Sequence, residues 1–350
     1  MPTHSTRCLA AAAATLLVAR CVATEMALLP TVHFEGLVLV FDPKSGGIVR
    51  IEQGGGSSGA AVPWFVNETA DGALPLWRLT FADGGISDST QCGAPVFLNQ
   101  SRRIEWTGCH YHSQLRQSQP KLEFDVTVAW SAAKLPPRAL SLSRVPPTLP
   151  FGVEGRIHVS GRRTTGDDGG GGSSPVLSTV IFPILRLRPL APVPPTEVEL
   201  VWSRESGRSW RNPWADNAPV GYGVGTQAGS PGPTQMGCIV NRLDEEGLYW
   251  ATHDPAVSQK HFYYVNNKTK AGMSNGIVEA SIGHVYPVPL VQAQQGQEPQ
   301  PALDFSLDYP VVLTTFRGDW WDAAQLYRSW ALRQPWVPAK ETPGNESWLK

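Results

Sequence analysis

The residues most able to do chemistry sit where a strand meets a turn. Gly247-Leu248-Tyr249-Trp250-Ala251-Thr252 reads as a strand, and His253-Asp254-Pro255 follows it. An imidazole beside a carboxylate at a loop edge could serve as an acid/base pair. The same residues also suit a plainer role, preferred here, in which Asp254 nucleates an Asp-Pro turn and His253 packs beside it. A second group is aromatic. Trp210, Trp214 and Tyr222 fall in a stretch without periodicity from Ser203 to Thr234. Flat rings stack on the apolar faces of sugars, and they equally fill domain interfaces. Asp216 and Asn217 beside them could bond hydroxyls. Carbohydrate is one candidate ligand, with Trp210, Trp214, Tyr222, His253 and Asp254 as its candidate contacts.

Other chemistries find less support. Glycoside hydrolysis needs two carboxylates, and Asp254, Asp304, Asp308 and Asp319 are too scattered for spacing to select a pair. The Gly-rich runs at 54–59 and 169–172 lack the Lys-Ser/Thr of a phosphate loop, and no GxSxG occurs. His110 and His112 would share a strand face, read as two ordinary strand histidines. No metal site and no cofactor is expected.

These residues must be held by a β framework. The 350 residues include 34 Gly and 31 Pro, and helical periodicity is strong only near the end. That composition points to a mainly β chain, a large two-sheet antiparallel sandwich with many turns. Leu122 to Trp130 alternates cleanly, as a half-buried strand does. His33–Phe41 reads as one strand and Ile48–Glu52 as its hairpin partner across Asp42-Pro43. Arg103–Trp106 and His110–Leu115 read as two strands around Thr107-Gly108, and Val176–Leu187 as a strand broken at Pro183. A net charge of -1 gives no basic surface, so nucleic acid is set aside.

Residues 1–24 resemble a secretory signal: Arg7 precedes a short apolar run, and Cys21-Val22-Ala23 offers small residues for cleavage. No later segment is long and apolar enough to cross a membrane, so a secreted or lumenal protein is expected. Sequons at Asn67, Asn99, Asn267 and Asn345 agree. Cleavage would leave Cys92, Cys109 and Cys238, with a Cys92–Cys109 bridge sterically possible.

The final element dominates the C-terminal region. After a β-branched run from Val311 to Phe316, Asp319 suits a helix N-cap and Asp322 the first turn. Trp320, Ala323, Ala324, Tyr327, Trp330 and Ala331 then recur at helical spacing, and Pro335 and Pro338 stop the pattern.

Several motifs occur in order: Leu74-Pro75-Leu76-Trp77-Arg78-Leu79, Pro231-Gly232-Pro233-Thr234-Gln235-Met236, Gly247-Leu248-Tyr249 with His253-Asp254-Pro255, Gly318-Asp319-Trp320-Trp321-Asp322-Ala323-Ala324 with Tyr327-Arg328-Ser329-Trp330-Ala331, and Ser347-Trp348-Leu349-Lys350. Together they resemble the domain-of-unknown-function 6259 family of glycoside-hydrolase-like proteins. The resemblance implies a galactose-mutarotase-like supersandwich over 30–316, a junction helix over 317–338, and a linker from 339–350 toward a (β/α)8 barrel outside this sequence. Trp320, Tyr327 and Trp330 would then face that barrel. With the signal-like segment, it implies a secreted, carbohydrate-related module that shapes substrate without a complete active site, not active alone. The alternatives are a free-standing carbohydrate-binding protein and an autonomous glycosidase or sugar epimerase. The Glu and paired-His set of a mutarotase is not matched.

Overall fold

The computed structural model describes residues 29–53, 62–66, 75–111, 122–133, 135, 152–163, 176–188, 193–202, 208–215, 224–225, 235–268, 274–285 and 303–337. The expected signal segment, Asn67, His112, Tyr222, Asn345 and the linker from 339 lie outside them, as does the side chain of Asn267.

In chain order the strands are β1 (Thr31–Phe34), β2 (Leu37–Phe41), β3 (Ile48–Gln53), β4 (Val62–Val66), β5 (Arg78–Phe81), β6 (Ile86–Asp88) and β7 (Val96–Leu98). There follow β8 (Arg103–His110), β9 (Leu122–Ala133), β10 (Gly152–Arg163), β11 (Leu177–Leu187), β12 (Val198–Trp202), β13 (Arg208–Arg211) and β14 (Val224–Gly225). The last are β15 (Met236–Asn241), β16 (Glu246–Thr252), β17 (Lys260–Lys268), β18 (Ser274–Val285), β19 (Asp304–Ser306) and β20 (Val311–Arg317), before helix α1 (Trp320–Ala331). No helix among the described residues is long and apolar enough to cross a membrane.

Among the described residues, these strands form three antiparallel sheets. A ten-stranded sheet runs β13-β12-β15-β16-β20-β10-β9-β8-β7, with β19 also on β10. A six-stranded sheet runs β14-β17-β18-β11-β5-β6, and a four-stranded sheet runs β1-β2-β3-β4. The large sheet packs its inner face on the other two. Trp130 of β9 lies 5.8 Å from Phe182 of β11 and 6.1 Å from Phe41 of β2, and Trp250 of β16 lies 6.0 Å from Tyr264 of β17. The chain is thus a mainly β sandwich with a C-terminal helix, as its composition implies.

Strand pattern follows coverage. In β9, Phe124, Val126, Val128 and Trp130 are buried and the residues between them are not, so one face of the strand is dry. In β15, β16 and β20 almost every residue is buried. These three strands have a second cover, because α1 lies on their outer face. Ala323 and Leu326 of the helix join Met236, Cys238, Val240, Tyr249, Ala251, Val312 and Phe316 in a separate core.

Several sequence expectations shift. His33–Phe41 is two strands, split at Glu35-Gly36, where Gly36 turns at φ +74°. β8 runs from Arg103 through Thr107-Gly108 to His110 with an irregularity between Trp106 and Cys109, so the break expected there does not end the strand; 112–115 lie outside the described residues. β11 runs through Pro183, which lies where the register slips between Ile181 and Ile184, a place that needs no ladder N–H. The aperiodic stretch after Ser203 carries β13 and β14. Cys92 and Cys109 form a disulfide, and Cys238 is a buried free thiol.

Helix α1 is set by its first turn. The Asp319 carboxylate accepts from Trp321 N at 2.7 Å, and Asp322 Oδ2 accepts from Asp319 N at 3.1 Å. Asp322 therefore closes a reciprocal cap. Gly318, at φ +112°, permits the approach: a Cβ there would lie 1.8 Å from Asp322 Oδ2. Gly318→Ala should strain this residue and open the cap, costing roughly 2–4 kcal/mol. Urea unfolding of the variant checks this; an unchanged midpoint would contradict the capping account.

Candidate functional site

The sequence-predicted pair, His253 and Asp254, does not act as a dyad. Alternation along β16 sends Leu248 and Trp250 into the sandwich core, and Tyr249 and Ala251 toward α1. His253 continues the α1 side. It stacks on Trp330 with ring centroids 4.7 Å apart, and its Nε2 lies 3.3 Å from Tyr249 Oη. Asp254 turns the other way and is buried in a salt bridge. Its Oδ2 accepts from Lys260 Nζ at 2.7 Å and from Ser258 N at 2.6 Å, while Oδ1 accepts from Ala256 N at 2.9 Å. Lys260 Nζ also donates to Ser258 O and lies 4.7 Å from the centre of the Tyr309 ring.

A polar chain continues from there. Tyr309 Oη lies 2.8 Å from His284 Nδ1, and His284 Nε2 lies 2.8 Å from the Phe182 carbonyl. A carbonyl only accepts, so Nε2 carries the proton and Nδ1 accepts from the tyrosine. These groups join β16, β17, β18, β11 and the approach to β20 at one end of the sandwich. Burial works against the Asp254 carboxylate, but the bond and charge of Lys260 outweigh it and hold its pKa below the usual range. For Lys260, burial outweighs Asp254 and lowers the ammonium pKa. A buried pair with all its bonds made suits a structural role, since losing either partner strands a charge.

The expected aromatic contacts are also occupied. Trp214 is buried in the main core and donates Nε1–H to Leu187 O at 2.9 Å. Trp210 of β13 is half-buried and packs against the same core. Trp214 keeps no free ring face for a sugar, and Trp210 holds part of its ring on the core. On α1, Trp330 is buried on His253, and Tyr327 packs on the core beneath the helix. Of the residues expected to face a barrel, Trp320 alone lies exposed, at 48%, beside Trp321 at 58%. The inward stripe is Asp322, Ala323, Leu326 and Trp330, so the helix is rotated from the face its spacing suggested.

Another constellation lies on the face of the six-stranded sheet that points away from the core. Paired residues in an antiparallel sheet share a face. The pairs Arg186–Glu279 across β11 and β18, Glu279–Val265 and Ser281–Tyr263 across β18 and β17, and Gly283–His261 beyond them define it. Glu279 is buried at 8% exposure. Its Oε1 lies 3.8 Å from Arg78 Nη1 and its Oε2 lies 3.6 Å from Arg186 Nε. Both separations exceed ordinary charged hydrogen bonds, so the carboxylate sits between two guanidiniums without a bidentate clasp. Beside it, His261 and Tyr263 stack at 5.7 Å with planes 28° apart. The Tyr263 ring lies across Gly283, where a Cβ would sit 2.7 Å from its Cε2. Burial lowers the His261 pKa and raises that of Tyr263, so both rings are neutral at pH 7.

This face holds chemistry that carbohydrate recognition uses: a neutral ring pair on β17, a carboxylate on the adjacent β18, and guanidiniums beyond it on β11 and β5. Its signal in the sequence was polar residues alternating in apolar strands, as in Leu185-Arg186-Leu187 and Val278-Glu279-Ala280. Strand order alone brings them together.

No protein-family model and no curated protein matches the chain. Solved structures do. The galactose mutarotase related enzyme from Lactobacillus acidophilus matches at 10% identity over 83% of this chain and 99% of that one, with TM-score 0.42. An aldose 1-epimerase candidate from Klebsiella pneumoniae matches at 13% identity over 88% and 84%, with TM-score 0.40. A galactose mutarotase-like protein from Lactobacillus casei matches at 9% identity over 82% and 99%, with TM-score 0.36. These likenesses are too distant to give any residue a role.

The buried histidines set the acid response. Burial and the charge of Arg333 hold the His253 pKa down to about 3, and burial, followed by smaller effects of Phe182, Lys260 and Asp254, leaves His284 at about 4. Between those values and about 6.5 the unfolded chain binds protons that the folded chain does not. Stability is therefore full above pH 6.5 and is lost as pH falls toward 4. The slope should reach up to about 2.7 kcal/mol per pH unit for two such groups. His253→Gln should cut it to about half, measured by urea midpoints between pH 7 and 5. An unchanged slope would contradict neutral burial of His253.

Proposed function

We propose that this chain is the carbohydrate-handling β-sandwich of a secreted glycoside-hydrolase-like protein, and that it binds saccharide on the outer face of the six-stranded sheet. The observation that carries the reading is the Tyr263–His261 ring pair on β17, with Glu279 on the adjacent β18 and held there by Arg186 of β11 and Arg78 of β5. A pyranose would lay its apolar face on Tyr263 and His261. Its hydroxyls would donate to Glu279 and accept from the two arginines. One carboxylate held between two cations suits recognition and substrate shaping, whereas glycoside hydrolysis uses a carboxyl pair.

The ordered motifs that resemble the domain-of-unknown-function 6259 family support the module role. The exposed Trp320–Trp321 pair, with rings 5.8 Å apart, supports a barrel as the partner of that surface. The Cys92–Cys109 bridge supports passage through an oxidising compartment.

Glycan-array screening followed by calorimetry tests the reading. Binding should fall by about ten- to a hundredfold in Glu279→Gln, which loses a charged acceptor worth about 1.5–3 kcal/mol. Tyr263→Ala should lose affinity comparably, while Trp210→Ala should leave it unchanged. The opposite ranking, or no glycan bound by the parent chain, would overturn the proposal.

A further inference from the structure

At the far end of the large sheet, β7 pairs with β8 and, among the described residues, with no other strand. An open edge of this kind is a template for pairing with other chains, and proteins blunt it with charge, proline, bulges or a cover. Here the edge is apolar. Val96 is 51% exposed and Leu98 38%, both on the outward side, while Phe97 turns inward and lies 6.0 Å from Phe41. No charged residue lies within β7 itself.

The residue that follows is Asn99, first of the sequon Asn99-Gln100-Ser101. It is exposed at the tip of the β7–β8 hairpin. The tip is a built turn: Leu98 O accepts from Ser101 N at 3.1 Å and from Ser101 Oγ at 3.2 Å, and Asn99 O accepts from Arg102 N at 3.3 Å. The Cys92–Cys109 bridge ties the segment before β7 to β8. Cystines form in the oxidising compartments of the secretory route, where sequons are also modified. The other sequons differ. Asn67 and Asn345 are outside the described residues, and Asn267 lies within β17, which pairs with β18.

We propose that Asn99 carries an N-linked glycan and that this glycan screens the apolar edge of β7 from pairing with a second copy of the chain. In the transfer, the Asn99 side-chain nitrogen bonds to the anomeric carbon of an oligosaccharide carried on a polyprenyl diphosphate. The sugar–phosphate C–O bond breaks, the diphosphate leaves with the electron pair, and the amide gives up a proton. A bulky hydrophilic group one residue beyond Leu98 then covers a strand that itself carries no charge, its charged neighbours Glu105 and Arg103 lying on β8. The inference rests on the secretory reading and is independent of the saccharide face.

Two measurements test it on the full chain made in a secreting eukaryotic cell. Peptide:N-glycosidase treatment in heavy-oxygen water, followed by peptide mass mapping, should convert Asn99 to labelled Asp. Sedimentation should then show the native glycosylated chain monomeric, and both Asn99→Gln and the folded chain whose glycans an endoglycosidase has cut back to a single sugar, which adds no charge at position 99, self-associated. Adding Val96→Thr and Leu98→Thr to Asn99→Gln should restore the monomer. Trimming the glycan on protein already folded keeps the test valid if Asn99→Gln fails to fold. Label at other sequons with Asn99 unlabelled would overturn the site. Label at none of them would remove the secretory reading, and the proposal with it. A trimmed chain that stays monomeric would overturn the screening role.

Discussion

Three adjacent strands, β15, β16 and β20, must be dry on both faces. Their side chains are apolar on the inner and the outer side alike, so a sandwich partner on one side leaves the other face wet. Helix α1 supplies the missing layer, and much of the C-terminal architecture follows from this need. The Asp319–Asp322 cap and Gly318 start the helix within two residues of the end of β20. Leu326 and Ala323 seat it, and Trp330 reaches past the strand ends to stack on His253. Trp336 then donates to Pro255 O at 3.0 Å and pins the chain beyond the helix to the turn that holds the Asp254–Lys260 pair.

The same constraint explains which residues are free to act. Side chains at the centre of the large sheet are used up by two layers of packing. So are the polar groups at its end, where Asp254, Lys260, Tyr309 and His284 saturate one another around a shared junction of strands. The six-stranded sheet has one side on the core. Its other side keeps Arg78, Arg186, His261 and Tyr263 partly accessible, with Glu279 buried between the two arginines beside the ring pair.

Much of this was legible in the residues. The alternation in β9 and the hairpin from Leu37 to Gln53 read directly, because each depends on neighbours in sequence. So did the cap of α1. The β-branched run from Val311 to Phe316 read as a strand, but which element covers its outer face is a long-range fact. The helix stripe was misjudged because Trp320 fits the period yet lies on the solvent side, while Leu326, inside, falls outside the aromatic pattern. The site was legible only in its parts. His253 and Asp254 drew notice through adjacency, which in a strand places side chains on opposite faces. Glu279 and Arg186 are far apart in the chain and become neighbours through the pairing of β11 with β18.

The central claim is that saccharide lies across β17 and β18. A crystal structure of the chain soaked with a glycan selected by array binding tests it most directly. The account predicts a sugar ring flat against Tyr263 and His261, with a hydroxyl within hydrogen-bonding distance of Glu279. A sugar seated instead against Trp210, or one that leaves the outer face of the six-stranded sheet empty, would contradict it.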